Sequence, residues 1–327
     1  MKSYVFILFG LLIVFSSCKQ EPLPAPETTF EGKQVLILNE GNFSWGNSSV
    51  ALYSPEKKEI NHALFEKAND RPLGDVLQSG KIINGRIWLV VNNSGKIEII
   101  DTNSFKSVKT ITGLRSPRFI SELNGLVYVT DLYADKLTVF DATTFELKST
   151  ISESGWTEKT LADDQWVYFI NKDSNTLNGF NPVSKLLKRI SILGIPFDLV
   201  RKNDEIHIAS YSGDSLILKN VGSGSQQIFA HALNSVPGGM LFCKTNGLWY
   251  FKMGNNLRRI NAAGTSDMIY QLKSGSLYAA NIIGDEIYLS NAKDYVQNSE
   301  MIRLDLDGKV LDKRESGRIT NGFLWLE

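Results

Sequence analysis

Cysteine and histidine are scarce in this sequence, which has two cysteines and three histidines among 327 residues. His62, His207 and His231 are scattered, and none pairs with a cysteine or a carboxylate at metal-ligand spacing. Cys243 lies in an apolar stretch, which is typical of a small buried side chain and not of a nucleophile. The sequence therefore predicts no metal site.

A net charge is also lacking, because 35 Lys and Arg residues balance 35 Asp and Glu residues. No overall electrostatic field draws such a chain to nucleic acid, so no nucleic-acid partner is expected. The sequence has no glycine-rich phosphate loop, no G-x-S-x-G turn and no paired-carboxylate signature. We therefore expect a protein that is not an enzyme and that holds no cofactor.

The N-terminus has the layout of a secretory signal peptide, with Lys2 before an apolar run at residues 5–15. Residues 15–18, Phe-Ser-Ser-Cys, resemble the lipobox of bacterial lipoproteins, although Phe15 stands where leucine is usual. We expect residues 1–17 to be the signal peptide, Cys18 to be acylated and proline-rich residues 18–31 to be a tether to the membrane. The alternative is a plain signal peptide with an incidental cysteine.

From residue 34 onward the chain repeats a pattern of short β-rich runs and polar turns. The residues that end one of these runs are Ser54, Asp101, Asp141, Asn181, Asn220, Asn261 and Asp305. The separations between them are 47, 40, 40, 39, 41 and 44 residues. A period near 40 residues with alternating apolar positions is typical of propeller blades. We predict an all-β fold, a seven-bladed β-propeller over residues 32–327.

The two ends of the chain predict how the ring closes. Each unit after the first is preceded by another apolar run, which we predict to be the innermost strand of its blade. The first unit has no such run, whereas residues 321–327 supply one at the far end of the chain. Residues 321–327 are therefore predicted to be the innermost strand of the first blade, so that no sheet edge stays exposed.

The loops that join the second and third strands of each blade should share one face with the loops that lead into the innermost strands. Ligand sites of propellers gather on this face. These loops are rich in amides, aromatic rings and arginines, which suits a broad ligand better than a reaction. Turn geometry explains the Asn, Gly and Asp content, but it explains the aromatic residues less well. The candidate ligand-binding residues are Asn42, Phe43, Trp45, Arg71, Asn92, Asn93, Arg118, Asp131, Tyr133, Trp156, Tyr295 and Gln297.

Several of these stretches resemble a known family. They are NEGNF at 39–43, RPLGDV at 71–76, VNNSGKIEIID at 91–101, SPRFI at 116–120, YVTDLY at 128–133 and KDYVQN at 293–298. They are similar to YncE-like propeller lipoproteins of Bacteroidetes, above all to BtuG-type surface lipoproteins. The resemblance runs from about Val35 to the C-terminus, but the middle blades match poorly and no binding residue is carried over there.

The resemblance implies a lipoprotein that is anchored in the outer membrane, faces the cell surface, captures cobalamin and passes it to a TonB-dependent transporter. On this hypothesis the aromatic residues cover the corrin ring, the amides pair with its amide arms, and Arg71 or Arg118 binds its phosphate. Two alternatives remain open. One is a structural or adhesive propeller with a protein or glycan partner, and the other is a lactonase-type or lyase-type propeller with a metal in its channel.

Overall fold

The computed structural model describes residues 32–230, 236–261 and 263–326. In these residues the chain forms seven four-stranded antiparallel sheets, and this confirms the predicted seven-bladed β-propeller. The predicted signal peptide at residues 1–17, the acylation of Cys18 and the tether at residues 18–31 lie outside the described residues.

Within each blade the strands follow one another from the channel outward. The strands of blades 1 and 2 are β1 (Gln34–Asn39), β2 (Ser49–Ser54), β3 (Glu59–Asn61), β4 (Leu77–Ile83), β5 (Arg86–Val91), β6 (Lys96–Asp101) and β7 (Ser107–Ile111). Those of blades 3 and 4 are β8 (Pro117–Leu123), β9 (Leu126–Asp131), β10 (Lys136–Asp141), β11 (Leu147–Ser152), β12 (Thr157–Ala162), β13 (Val167–Asn171), β14 (Thr176–Phe180) and β15 (Leu187–Ser191).

The remaining blades keep the same plan. The strands of blades 5 and 6 are β16 (Ile195–Lys202), β17 (Glu205–Ser212), β18 (Ser215–Asn220), β19 (Gln226–Ala230), β20 (Pro237–Phe242), β21 (Trp249–Met253), β22 (Asn256–Ile260) and β23 (Ser266–Gln271). Blade 7 contains β24 (Leu277–Ile283), β25 (Glu286–Asn291), β26 (Asn298–Asp305) and β27 (Val310–Arg318), and the last strand is β28 (Thr320–Leu326).

The last strand closes the ring as the sequence predicted. β28 pairs with β1, so that blade 1 has the strand order β28, β1, β2 and β3. Val35 lies opposite Trp325 and Ile37 lies opposite Phe323 in this antiparallel pair. The first and last strands therefore hydrogen-bond to each other, and β1 has a partner on both edges.

The hydrophobic core lies between the blades. The described residues form seven clusters, each of which joins two neighbouring blades. Cys243 is fully buried in the cluster between blades 6 and 7, as its apolar surroundings predicted. Because every blade shares apolar side chains with both neighbours, the stability of each sheet depends on the whole ring.

The regular Asp or Asn of the repeat ends the third strand of its blade and begins a turn. Asp101 Oδ1 accepts the N–H groups of Asn103 at 3.1 Å and Ser104 at 3.0 Å. The same turn forms at Asp141, Asn181 and Asn220. At Asn261 and Asp305 the side-chain oxygen accepts instead from the N–H groups two and four residues later. The repeated Asp or Asn is therefore explained by the turns it forms, which lie on the face opposite the predicted ligand loops.

One short helix, α1 (Leu64–Asn69), leads from blade 1 to blade 2, and the sequence analysis did not predict it. No side chain caps its N-terminus, but Leu64 and Phe65 are buried in the core between these blades. Tertiary burial holds this single turn and a half in place, because so short a helix is unstable alone. In the described part of the chain no helix has the length and apolar character needed to cross a membrane.

Candidate functional site

The loops that were predicted to share a face do lie together. Asn42 Nδ2 donates to the carbonyl oxygen of Tyr295 at 2.6 Å and so links blade 1 to blade 7. The Ser44 N–H donates to Asp75 Oδ2 at 2.9 Å and links the same loop to the segment before blade 2. These contacts join the loops into one surface around the channel, which we call the mouth face.

Aromatic rings project from the mouth face into solvent. The exposed fractions are 70% for Phe43, 65% for Trp45, 57% for Tyr133 and 41% for Tyr295. The guanidinium of Arg318 lies 5.6 Å from the Trp45 ring, and that of Arg115 lies 5.9 Å from the Tyr133 ring. Cation–π contacts therefore support two of these rings while their outer surfaces stay open to a ligand.

Three bulky residues of this face adopt a left-handed backbone conformation. The φ angles are 62° at Val76, 65° at Tyr295 and 50° at Ile319. Each residue borders the loop at residues 40–48, whose Glu40 N–H donates to the Ile319 carbonyl at 2.9 Å. Such a conformation costs on the order of 1–2 kcal/mol in a residue with a Cβ. Phe105 and Phe145, in turns of the opposite face, have the same conformation, so it reflects tight turns and does not by itself mark the site.

Arg71 does not join the mouth face. Its guanidinium donates to Glu98 Oε1 at 2.8 Å and lies 4.7 Å from the ring of Phe65. Glu98 is fully buried, and although burial raises the pKa of its carboxyl, hydrogen bonds from Arg71, Ser107 and Lys96 together lower it below the usual value. Removing Arg71 from this pair would leave a buried charge without its main partner, so Arg71 is a structural cation here.

Two other predicted ligand residues, Asp131 and Asn92, form hydrogen bonds within the protein that hold its loops in place. Asp131 is buried, and its Oδ2 and Oδ1 accept the N–H groups of Ser116 and Tyr133, both at 2.9 Å. Asn92 is also buried, and its Nδ2 donates to Ser116 Oγ at 3.0 Å and to the Pro117 carbonyl at 2.9 Å. Both side chains shape the loops of blades 2 and 3 and present little surface to a ligand.

Arg118 and Trp156 belong to a polar network on the channel wall. Arg118 donates to both oxygens of Glu158, at 2.8 and 2.7 Å, and to Gln78 Oε1 at 2.5 Å. Trp156 Nε1 donates to Glu158 Oε2 at 2.5 Å. This network joins blades 2, 3 and 4, and it leaves the Arg118 charge already neutralised by a bidentate carboxylate.

The remaining predicted amide side chains, those of Asn93 and Gln297, lie at the outer rim of the mouth face. Asn93 is exposed, and its Nδ2 donates to Asp75 Oδ2 at 2.5 Å. Gln297 is exposed as well, and its Nε2 donates to Asp294 Oδ2 at 2.9 Å. Hydrogen bonds from Gln297 and from the Val296 N–H lower the pKa of the Asp294 carboxyl to about 2. Asn42, Asn93 and Gln297 are therefore the predicted amides that a bound molecule can reach.

Several mouth-face residues were not predicted from the sequence. The Tyr278 hydroxyl donates to Glu40 Oε2 at 2.8 Å, and burial raises the pKa of both groups. The Tyr278 ring meets that of Tyr295 edge to face at 5.6 Å, and the Tyr295 hydroxyl lies 2.6 Å from Ser276 Oγ. Arg318 reaches the Val296 carbonyl and Asn42 as well as Trp45. No sequence pattern signals these contacts, because ring closure brings their blades together.

Beneath the mouth lies a cavity of about 510 Å³, the central channel of the propeller. All seven innermost strands line it, and Lys252 of β21 also reaches it. Within the described residues no group of three or more His, Cys, Asp or Glu side chains is arranged to hold a metal ion. The site thus combines exposed rings above with a polar channel below.

Known structures with this architecture include a quinoprotein alcohol dehydrogenase-like protein from Bacteroides thetaiotaomicron, at 14% identity and a TM-score of 0.73 over 90% of this chain and 78% of that one. A protein from Lactobacillus plantarum matches at 14% identity and a TM-score of 0.69 over 90% of this chain and 99% of that one. The dihydro-haem d1 dehydrogenase NirN, solved in complex with DHE, matches at 13% identity and a TM-score of 0.62 over 86% of this chain and 64% of that one. At these sequence identities the structural similarity shows a shared fold and nothing about function.

A search of curated proteins finds no sequence that matches this chain. The family model that matches is described as a domain of unknown function, DUF5074, and it aligns with residues 33–297. That range begins just before β1 and ends in the loop before β26, so it covers the greater part of the ring. The chain therefore belongs to the DUF5074 family and has the fold of a seven-bladed β-propeller.

Proposed function

We propose that this protein is a non-catalytic, lipid-anchored binding protein that captures cobalamin at its mouth face. The observation that carries the proposal is the group of exposed rings, Phe43, Trp45, Tyr133 and Tyr295, around the opening of a polar channel. A soluble domain rarely exposes several large aromatic side chains on one face unless they meet a ligand or a partner. Their rigid supports lower the entropy lost on binding.

The chemistry of a corrinoid suits this surface. The macrocycle has two broad apolar faces, which aromatic side chains cover well, and a rim of amide arms, which amide side chains bind. Asn42, Asn93 and Gln297 stand at the rim beside the rings.

The delivery part of the proposal follows from the resemblance and the N-terminal motif. Cys18 would carry the acyl chains that hold the protein in the outer membrane, with the propeller on the cell surface. The mouth face would then meet a TonB-dependent transporter, to which the corrinoid passes. Acylation is tested by mass spectrometry of the protein purified from membranes, which should detect a diacylglycerol on Cys18.

Calorimetric titration of the soluble chain, begun at Phe30, with cyanocobalamin tests the binding step. We expect a one-to-one complex, and we expect Trp45→Ala and Tyr295→Ala each to weaken it by roughly tenfold or more, as for an aromatic hot spot. Leu147→Ala is the matched control, because Leu147 is 61% exposed but lies on the opposite face. Absence of heat at high micromolar ligand would reject cobalamin as the ligand.

A protein or glycan partner is the second candidate, because the apolar surface extends beyond the four rings. Leu193 and Ile195 of blade 5 and Val236 of blade 6 are also exposed on the mouth face. A flat partner would use these residues, whereas a single corrinoid near Trp45 and Tyr295 need not. Cobalamin binding that survives Leu193→Ser and Val236→Ser but not Trp45→Ala would favour the small ligand.

A further inference from the structure

Two lysines line the central channel without a strong ion-pair partner. The ionisable side chains on the cavity wall are Lys159, Asp198, Lys252 and Tyr278. Just above them, Arg118 is matched by both oxygens of Glu158. Two lysines against one aspartate leave an excess of positive charge on the cavity wall.

Lys252 reaches the channel through a gap in the wall of blade 6. It belongs to the second strand of that blade, β21, and lies opposite Gly238 of the innermost strand. A Cβ atom at Gly238 would stand 3.2 Å from Lys252 Cε and 3.6 Å from Nζ, so an alanine there would crowd the lysine stem. Gly238 has no side chain, and the Lys252 side chain occupies the space that a side chain at this position of the innermost strand would fill.

The Lys252 ammonium is partly desolvated and lacks a carboxylate. Its Nζ donates to the carbonyl oxygen of Leu277 at 2.9 Å. Among the residues that the structure describes, no carboxylate lies within ion-pair distance of it. Burial lowers its pKa below the usual lysine value. A half-buried cation without a carboxylate partner is stabilised by an anion that reaches it.

Lys159 adds a second cation to the same cavity. Its Nζ lies 4.4 Å from the ring of Phe119 and 4.0 Å from Asp198 Oδ1, at the outer limit of an ion pair. The Asp198 oxygens also accept the N–H groups of Leu199 at 2.9 Å and Met240 at 2.8 Å. Asp198 therefore braces blades 5 and 6, and it neutralises Lys159 only in part.

We propose that the channel is a binding site for an anionic phosphate group, which Lys252 and Lys159 hold below the mouth face. The carrier of this phosphate rests on the proposed function: for cobalamin it is the phosphodiester of the nucleotide arm, which would enter the channel while the macrocycle stays on the rings. Lys252 and Lys159 take the role that the sequence had suggested for Arg71 and Arg118, both of which are paired with glutamates.

The test compares cyanocobalamin with dicyanocobinamide, a corrinoid without the nucleotide arm and its phosphate. The variants are Lys252→Met and Lys159→Met, with Lys106→Met, an exposed lysine on the opposite face, as control. We expect Lys252→Met to weaken cyanocobalamin binding by roughly 10- to 100-fold, the size of a lost charged hydrogen bond, with a smaller loss for Lys159→Met. Binding of dicyanocobinamide should be unchanged in all three variants.

A second arm uses inorganic phosphate, which separates this inference from the identity of the corrinoid. We expect millimolar phosphate to raise the melting temperature of the wild type and of Lys106→Met but not that of Lys252→Met. Failure of cyanocobalamin to bind the wild type would reject the proposed function, and the phosphate arm would then decide the inference. Equal loss of both corrinoids in Lys252→Met, or a phosphate effect that does not depend on Lys252, would overturn it.

Discussion

Glu286 shows how much one carboxylate contributes at the seam where the ring closes. It accepts hydrogen bonds from Arg303, from Lys33 Nζ at 3.0 Å and from the Tyr288 hydroxyl at 2.8 Å. Burial by itself would raise the pKa of its carboxyl, but Arg303, Lys33 and Tyr288 outweigh burial and lower it from 4.5 to about 2. Arg303 also donates to the Pro55 carbonyl of blade 1, so the cluster joins the last blade to the first.

The Glu286 cluster predicts a pH-dependent stability. A carboxyl with a lowered folded-state pKa stabilises the fold above its unfolded value near 4.5 and loses this contribution as the pH falls towards 2. We expect Glu286→Gln to lower the free energy of unfolding by about 2 kcal/mol at neutral pH, since it breaks a half-buried ion pair. Urea unfolding from pH 7 to pH 2 measures this.

Glu205→Gln serves as the control for Glu286→Gln, because the Glu205 side chain is 58% exposed and should matter little. The deficit of Glu286→Gln should shrink as the pH falls from about 4.5 towards 2, the range in which the wild-type carboxyl begins to take up its proton. A deficit of constant size across this range would show that the charge of Glu286 is not the cause.

At the level of single elements, β28 matters most for the integrity of the ring. Its Phe323 is buried with Tyr288 of blade 7 and Tyr53 of blade 1 in one cluster. Its Asn321 Nδ2 donates to the carbonyl oxygen of Leu77 in β4 at 2.6 Å. The strand therefore holds the neighbouring blades on both sides as well as its own sheet.

Deletion of residues 321–327 should open the ring. The loss of the buried Phe323 and Leu326 side chains, together with the β1 pairing, should cost about 5 kcal/mol or more. We expect a large fall in the melting temperature by circular dichroism and a tendency to aggregate through the freed edge of β1. Trp325→Ala is the control, since it removes a half-exposed ring and keeps the backbone pairing. An unchanged melting temperature in the deletion variant would contradict closure by this strand.

On the scale of the whole molecule, closure should make unfolding cooperative. In an open array of repeats each unit contacts its neighbours alone, and terminal units can fray. Here β1 and β28 pair across the chain ends, and each core cluster joins two blades. No blade in the described ring is therefore an end unit that can unfold at lower cost than the others.

The wild type should consequently unfold in one transition. We expect coincident curves from far-ultraviolet circular dichroism and from the fluorescence of the six tryptophans, which include the buried Trp88 in blade 2 and Trp249 in blade 6. The variant that lacks residues 321–327 should instead give separate transitions for the two signals. Two resolved steps in the wild type would show that groups of blades unfold independently.

The blade count and the closing strand were predictable because they depend on local chemistry. Strand alternation follows from neighbours two residues apart, and the Asp or Asn after the third strand of blades 2 to 7 makes its turn with residues two to four positions later. Such patterns stay visible however far apart the repeats lie. The exposed positions of Trp45, Tyr133 and Tyr295 also agree with the sequence analysis, because they lie in loops that do not repeat.

Which polar side chains stay available to a ligand could not be predicted in this way. Arg71 and Arg118 look alike in the sequence, but each meets a glutamate, Glu98 or Glu158, that lies 27 or 40 residues away. No sequence pattern predicts that Lys252 lines the channel, because its access requires Gly238 on the neighbouring strand.

The architecture of this protein, including the strand that closes the ring, could be predicted from the order of its residues alone. Which charges are neutralised within the protein and which remain for a ligand became visible in the folded ring alone. The reason is that strands and turns form through residues close in the chain, whereas ion pairs such as Arg71–Glu98 and gaps such as the one at Gly238 depend on distances that exist only once the blades are packed.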